Sequence, residues 1–471
     1  MSARCAARAL VMLLLALALG GCTLLGPDYK RPQLNLPGSY PQPAPGPAAP
    51  LAVPAHWWRL YGDATLDELV ASGLDKNTDI RIAVARIEET EAVLREVGAT
   101  FFPLVEAGAT AGRSRSSTQA GLLPPTAAPI RNNLQLTAST AFELDFWGRL
   151  RRGAEAARAQ YTASRYGRDV VALTLTAGIA QTYFAVRSLD AQIGVAGATL
   201  QAAEASLDLA RRRAQAGIVS ELDVNQADAN RAQTAAQIKD LRRQRAAALH
   251  QLGVLSGVLD RDVQPGDLRE LPTPPMPPAG LPSTLLERRP DVREAEAQLV
   301  SANALIGVAR GAQFPKFSLT GAFGTQSQAL SNLFSTGAGI WSFGLGVVAP
   351  VIDSGRYAAR TQQAEARARQ AAAAYEKTAQ TAFREVADAL SNVRLAAEAE
   401  RDLRDRVERV QNTLRLATLR YESGYSAYLE VLDAQRTLND AQLALVRNRQ
   451  SYLAYTVDLM KALGGGWTAN Y

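Results

Sequence analysis

The sequence predicts a mainly α-helical chain with a membrane β-barrel component, built from two copies of one strand-and-helix unit. Three observations carry that prediction: where proline is absent, a constant offset between matching residues, and two stretches of apolar–polar alternation. Composition sets the frame. The chain has 471 residues, 51 basic and 45 acidic, for a net charge of +6. An apolar content of 47% is too high for a disordered chain. Two Cys exclude a disulfide scaffold and a four-thiolate zinc site, and two His leave little for metal or acid–base chemistry. Alanine makes up about 18% and aromatics 6%, a balance that favours long helices over ordinary globular domains.

Residues 1–21 read as a secretory signal. Arg4 and Arg8 form the positive region, and Ala9 to Leu19 an apolar core too short to span a membrane. The run Leu19-Gly20-Gly21-Cys22 has the form of a lipoprotein processing site, with Cys22 taking the lipid. The plainer alternative is an ordinary signal with a chance Cys near its end. Each buried lipid methylene contributes about 0.8 kcal/mol, so a multiply acylated Cys22 would anchor firmly. Processing removes Arg4 and Arg8 and leaves 49 basic against 45 acidic residues, a net charge of +4. No later apolar run reaches about 18 residues, so no transmembrane helix is expected.

Proline then divides the chain. Nine of the 23 lie between Pro27 and Pro54, in a tail, and eight between Pro265 and Pro290, in a linker. Residues 130–264 and 351–471 contain none. One proline costs a helix interior about 3 kcal/mol, so these exclusions over Ala/Arg/Gln/Leu-rich sequence predict very long helices. A single helix from Arg149 to Ala216 would run ~100 Å, too long for a globular domain.

The halves repeat. Asp79-Ile80-Arg81 matches Asp291-Val292-Arg293, and Phe102-Pro103 matches Phe314-Pro315, at an offset of 212. Gly148-Arg149 matches Gly355-Arg356, and Gly217, Leu222, Val224 and Ala227 match Gly424, Leu429, Val431 and Ala434, at 207. The offset changes between 104 and 147, where a loop absorbs it.

Each half carries strand texture after its Phe-Pro. From Leu134 to Phe146, Leu, Ala, Thr and Phe alternate with Gln, Thr, Ser, Glu and Asp. Trp341, Phe343, Leu345 and Val347 alternate with Ser342, Gly344, Gly346 and Val348. Leu104 to Gly112 and Lys316 to Gly324 supply the partner strands. Two hairpins of ~10-residue strands suit a membrane barrel, apolar toward lipid and polar toward a lumen. A soluble hairpin on a core is the competing reading. Four strands cannot close a barrel, and lipid tolerates no open edge, so the membrane reading requires several chains to pool strands.

The organisation is therefore a signal over 1–21 and a lipid-anchored, Pro-rich tail over 22–62. A first repeat covers 63–264, with its hairpin at about 103–146 and a helical tip near 217. A linker over 265–282 leads to a second repeat over 283–471, with its hairpin at about 315–350 and a tip near 424. Gly217 and Gly424 end one long helix before the next begins, as a left-handed glycine cap does.

The chain resembles the TolC-like outer-membrane factor family (outer membrane efflux protein), in its OprM/NodT-like lipoprotein subgroup. The resemblance rests on Cys22-Thr23-Leu24-Leu25-Gly26-Pro27-Asp28-Tyr29, Trp57-Trp58 with Asp67, and Leu286-Glu287-Arg288-Arg289-Pro290-Asp291-Val292. It rests further on Gly424-Tyr425-Ser426-Ala427-Tyr428-Leu429-Glu430-Val431-Leu432-Asp433-Ala434 and on Ala462-Leu463-Gly464-Gly465-Gly466-Trp467. It covers essentially the whole mature chain. It implies a homotrimer in which four strands per chain close a 12-stranded barrel in outer-membrane lipid. Long antiparallel helices would form a periplasmic α-helical tube beneath it. It implies further partners: a periplasmic adaptor and an inner-membrane, proton-driven RND-type pump. The expected function is the passive exit duct of a tripartite efflux pump for drugs or other small toxic molecules, anchored in the cell outer membrane. The alternative is the exit duct of a type I protein secretion system.

The resemblance also assigns the tips. Gly217, Ile218, Val219 and Ser220, with Gly424, Tyr425, Ser426 and Ala427, would form the adaptor-docking surface. Glu430 and Asp433, three residues apart on one helix face, would ring the pore entrance; otherwise they are a solvated face. Tyr421 and Asp223 match positions that relatives use to hold the entrance shut. Ser220-Glu221-Leu222-Asp223 also fits a helix capping box, which explains Asp223 without a gate. Ser426 stands where some relatives have an Arg completing that network.

No catalytic constellation is present. His56 and His250 lack a carboxylate–nucleophile context, and no nucleophile elbow, P-loop or HExxH motif appears. The expectation is a non-enzyme with no catalytic residue, no metal and no cofactor beyond the covalent lipid on Cys22. The Arg-dense stretches, including Arg211-Arg212-Arg213, read as solvated helix faces, and no nucleic-acid partner is expected.

Overall fold

A computed structural model describes residues 24–38, 40, 53–117, 119, 128–274 and 288–466. The signal, Cys22, residues 275–287 and Trp467 lie outside the described residues. The chain falls into two compact units: Met1–Gln33, Ile87–Ser164 and Ala295–Tyr375 form one, and Leu34–Arg86, Arg165–Glu294 and Glu376–Tyr471 the other.

Seven helices occur among the described residues: α1 (Ala64–Lys76), α2 (Thr78–Ala99), α3 (Arg149–Gln215), α4 (Glu221–Ser256), α5 (Pro290–Gly311), α6 (Arg356–Glu422) and α7 (Tyr428–Ala462). The proline-free stretches hold α3 and α6, each an unbroken helix of 67 residues. Starts are set by local chemistry. The Asp63 carboxylate accepts the Thr65 and Leu66 amides at the head of α1, and Asp145 accepts those of Leu150 and Arg151 at the head of α3. Pro290 opens α5, where its fixed φ suits the first turn and its missing N–H costs no bond.

The first unit carries one antiparallel sheet in the order β1-β2-β3-β4, with β1 (Leu104–Arg115), β2 (Ile130–Leu144), β3 (Lys316–Ser327) and β4 (Gly339–Val348). The register runs from Leu104↔Ala141 to Arg115↔Ile130, from Leu144↔Phe317 to Leu134↔Ser327, and from Lys316↔Val348 to Thr325↔Gly339. The β2 strand starts four residues before the alternation does, because exposed Ile130 to Asn133 continue the backbone ladder with β1 whatever their side chains. It stops before Phe146, whose amide turns back to the Leu144 carbonyl while its ring packs edge-on against Phe317. All four helix connections leave one end of the sheet, and the two strand-to-strand connections lie at the other.

Residues paired across strands share a face. One face carries Val105, Ala107, Leu134, Leu136, Phe142, Leu144, Phe317, Leu319, Phe323, Trp341, Phe343, Leu345 and Val347. The other carries Glu106, Thr110, Gln135, Thr137, Ser139, Glu143, Ser318, Thr320, Gln326 and Ser342. Among the described residues the apolar face has no cover: Trp341, Phe343 and Phe323 are each more than 70% exposed. Among the described residues nothing pairs with the outer edges of β1 and β4.

The N-terminal segment is strapped to this unit. The Leu25 amide donates to the Trp147 carbonyl at 3.2 Å. Buried Arg152 donates to the Leu25 and Gly26 carbonyls and to the Asp28 carboxylate at 2.7 Å. The Tyr29 hydroxyl and both ends of the Arg31 guanidinium donate to Glu296. Gly26, at φ +97°, crosses α5 so closely that a Cβ on it would lie 2.6 Å from the Gly307 Cα.

The second unit has its own core. Trp57, Tyr61, Leu66, Leu69, Ile179, Tyr183, Phe184, Leu252, Leu453 and Met460 pack together, and the Tyr61 and Thr456 hydroxyls bond at 2.7 Å within it. An 18-residue window of α3 is long and apolar enough to cross a membrane by composition, but half of it is buried in the protein. The first part of the linker lies against this core. Residues 265–274 are docked rather than free: Leu268 is fully buried in this core, Leu271 joins it, and Arg449 donates to the Leu271 carbonyl at 2.6 Å and to the Thr273 hydroxyl at 2.9 Å. Prolines mark the absence of helix, whereas the burial of two leucines is a tertiary fact.

Candidate pore-entrance site

The site lies in the second unit, where α3 turns into α4 and α6 into α7. Both turns close in the same way. At the first, the Ile218 amide reaches back to the Arg213 carbonyl at 2.9 Å and the Gly217 amide to that of Ala214 at 2.9 Å. At the second, Tyr425 reaches Arg420 at 2.8 Å and Gly424 reaches Tyr421 at 3.0 Å. This bond pair requires a left-handed residue, supplied by Gly217 at φ +71° and Gly424 at φ +79°. Neither glycine has a neighbour within 4 Å of a built Cβ, so dihedral angle, not space, selects it.

The next helices start unequally. The Ser220 hydroxyl caps α4 by accepting the Leu222 amide at 3.2 Å. At the equivalent position Ala427 begins α7 with no side-chain cap. The turns also present apolar side chains to solvent at matched positions: Ile218 and Tyr425, then Leu222 and Leu429, are each at least 60% exposed.

Behind the turns Leu207, Ala210, Ala227, Tyr421, Tyr428, Val431 and Leu432 form a small core. Tyr421 and Tyr428 meet edge-on at 5.6 Å. The Arg213 guanidinium stacks over the Tyr421 ring at 4.6 Å and donates to the Tyr421 carbonyl at 2.6 Å. It thereby satisfies a carbonyl at the negative end of α6. Arg213 is therefore not part of a solvated face, although neighbouring Arg212 is, paired with Asp208 on the helix surface. Its position in the last turn of a helix was the available signal, but the ring it covers is 208 residues away.

The structure shows no hydrogen bond between Tyr421 and Asp223. The Tyr421 hydroxyl, like that of Ser426, is buried without a hydrogen-bond partner among the described residues. Burial pushes the Tyr421 phenol upward, with the Arg213 charge opposing and Asp223 adding to the shift. The amide of Asp223 bonds the Ser220 carbonyl, which holds it in the first turn of α4. Glu430 and Asp433 are both exposed on α7. Glu430 is half-paired: Arg420 lies 3.5 Å away, with both side chains more than half exposed. Asp433 makes no ion pair among the described residues.

The repeat explains this difference. Arg213 and Arg420 are equivalent, as are Asp223 and Glu430. Tyr421, however, stands opposite Ala214 in the alignment of the halves. A tyrosine ring is available to Arg213, so it stacks; where only an alanine stands, Arg420 turns to Glu430.

These features define a class: a duplicated helical protein with paired helix-turn-helix tips and an uncovered, apolar-faced antiparallel sheet. The chain belongs to the outer membrane efflux protein family, whose model matches residues 69–258 and again residues 281–465, once on each half. It is 37% identical to the "Probable efflux pump outer membrane protein TtgC" of Pseudomonas putida, over 96% of this chain and 94% of that one. Its fold superposes on the outer-membrane channel OprN with a TM-score of 0.87 at 30% identity, over 94% of this chain and 100% of that chain. It also superposes on the open state of the Neisseria gonorrhoeae MtrE outer membrane channel with a TM-score of 0.83 at 29% identity, over 94% and 98% of the two chains.

Proposed function

We propose that this chain is the outer-membrane channel of a tripartite efflux pump, a passive duct for drugs or other small toxic molecules. The observation that carries the reading is the sheet in the first unit. Among the described residues one face is apolar and uncovered, the other is polar, and both edges are unpaired. In water such a sheet would aggregate; in lipid its edges must be paired. Three copies supply twelve strands, with β4 of one chain beside β1 of the next, and the polar faces line a lumen. From Leu134 to Leu144 the apolar face spans ten residue steps, ~34 Å along the strand and ~26 Å at a 40° tilt, the height of a bilayer's apolar band.

Lipidation of Cys22 fits this orientation. Leu24 packs on Gly148 and Leu25 bonds Trp147, beside the end of β2 from which the helices leave. Cys22, two residues earlier, would set its acyl chains against the periplasmic leaflet. The exposed apolar residues at the tips suit a periplasmic adaptor and, beyond it, an inner-membrane proton-driven transporter. On this reading the protein is a conduit and not an enzyme, and requires no cofactor beyond the Cys22 lipid.

Glu430 and Asp433 would charge the entrance. The test is single-channel recording in planar bilayers. Substituting both residues with Ala should raise conductance and abolish block by multivalent cations; unchanged conductance and block would defeat the assignment. A deletion strain should become more sensitive to at least one toxic small molecule, and unchanged sensitivity across a broad panel would defeat the efflux reading.

A further inference from the structure

The apolar face of the sheet carries charge at one place only. Among the paired strand residues on that face, Arg113 and Arg115 are the only charged side chains, both near the end of β1. They follow Val105, Ala107, Ala109 and Ala111 along one edge. Their neighbours across the register are Asn132 and Ile130. The other strand charges, Glu106, Glu143, Arg131 and Lys316, all lie on the polar face. Both side chains are exposed, and neither guanidinium has a hydrogen bond or ion pair to another described residue.

Their height matters. The level of Ala111 and Leu134 closes the apolar band, and Arg113 and Arg115 lie two and four residues beyond it. At ~3.4 Å per residue they emerge ~7 and ~14 Å further along the strand, in the zone of lipid headgroups. They stand at the end of the sheet away from the helices, which is the outer leaflet on the membrane reading. Arginines ~7 Å apart on one strand face, aimed outward and without internal carboxylates, suit phosphate oxygens that the guanidinium fork bridges in pairs.

We propose that Arg113 and Arg115 form a binding site for the phosphate groups of an outer-leaflet lipid, a phosphorylated glycolipid whose acyl chains lie on the band beneath. The proposal rests on the membrane reading above. It commits to a lipid and not to free phosphate, because the site lies directly above an apolar surface that only an acylated ligand would use.

The test uses the full-length protein reconstituted into nanodiscs that contain bis-phosphorylated lipid A or its dephosphorylated form. Bound glycolipid is counted by native mass spectrometry after mild detergent release. Wild type should retain the phosphorylated lipid in preference to the dephosphorylated one, and excess inorganic phosphate should not displace it. At about fivefold per arginine, R113S/R115S should lower retention about 25-fold. R113K/R115K, which keeps the charges but loses the fork, should fall between. Equal retention by wild type and R113S/R115S, equal retention of the two lipids, or displacement by inorganic phosphate would each overturn the proposal. Conductance in planar bilayers separates the two readings: channels without lipid preference overturn this site alone, whereas failure to insert overturns the membrane reading and the site with it.

Discussion

Removal of the Arg289 guanidinium should loosen the junction of three helices. Arg289 precedes α5 and has a side chain only 6% exposed. It donates to Asp291 at 3.0 and 2.7 Å, to Glu385 of α6 at 2.7 Å, and to the Ala462 carbonyl at the end of α7 at 3.1 Å. The charge is held on by these carboxylates against the desolvation of the site. Breaking a fully buried ion pair from one side costs about 3–5 kcal/mol. Here the carboxylates keep 31% and 39% of their exposure, so water recovers part of the loss. The lower end, about 3 kcal/mol, is therefore expected for Arg289→Ala.

Hydrogen exchange reads that cost locally, without a two-state assumption for the whole chain. The reporters are the amides of Leu463, Gly464 and Gly465, which bond to the Leu459, Lys461 and Met460 carbonyls at 3.0, 2.9 and 2.8 Å. A loss of about 3 kcal/mol accelerates their exchange about 150-fold. Arg289→Lys, which keeps the charge but not the bidentate contact, should accelerate it about tenfold. Amides of Leu69 and Val70 in α1 serve as the control. Less than about a threefold change in R289A, or equal effects of Ala and Lys, would refute the reasoning.

Three further outcomes follow from the same geometry. Burial first, then the neighbouring Asp291 charge, raise the Glu294 carboxyl above its ordinary range, with Arg86 opposing; burial likewise raises Asp458, against Gln181 and Lys461. A raised carboxyl holds its proton more tightly when folded, so stability declines as pH climbs from the unfolded value to the folded one; Glu294→Gln should flatten that decline in melting curves, and an unaltered pH profile would exclude Glu294 as its source. Because Glu430 is partly neutralised by Arg420 and Asp433 is not, Asp433→Ala alone should weaken multivalent-cation block about tenfold and Glu430→Ala about threefold, and the reverse order in bilayer recordings would contradict this. Ser220→Ala should cost the α4 start about 1 kcal/mol, and Ala427→Ser should stabilise the α7 start by about 0.5–1 kcal/mol, read by exchange at Leu222 and Leu429; equal protection in variants and wild type would reject the capping argument.

Much of the fold was legible because its signals are local. Proline exclusion marks α3 and α6, since a single proline would break either. Alternation marks the strands, since every second residue meets a different solvent. What depended on tertiary contact was not legible. The prolines around Pro272 say nothing of Leu268 and Leu271 in the core. The Leu24 to Tyr29 motif was recognisable only by resemblance. Its cause is a backbone crossing in which Gly26 and Gly307 must both lack a Cβ, although they stand 281 positions apart. Arg289-Pro290-Asp291 is similar: Pro290 declares a helix start by itself, but the reason for Arg289 lies at Glu385 and Ala462.

The tips show where a repeat helps and where it misleads. The offset of 207 located both turns, and both close with the same bonds around a glycine. The same offset would make Arg213 and Arg420 equal partners of Asp223 and Glu430. One substitution between the copies, Tyr421 for Ala214, breaks that symmetry by offering Arg213 a ring. Its consequence spreads: among the described residues Asp223 is left without an arginine pair, Glu430 gains one, and the Tyr421 and Ser426 hydroxyls are buried without partners. Each such hydroxyl is a cost that a rearranged tip could relieve by bringing a donor or acceptor to it. The asymmetry concentrates that unrelieved cost on the α6–α7 turn, which also lacks the serine cap of its counterpart.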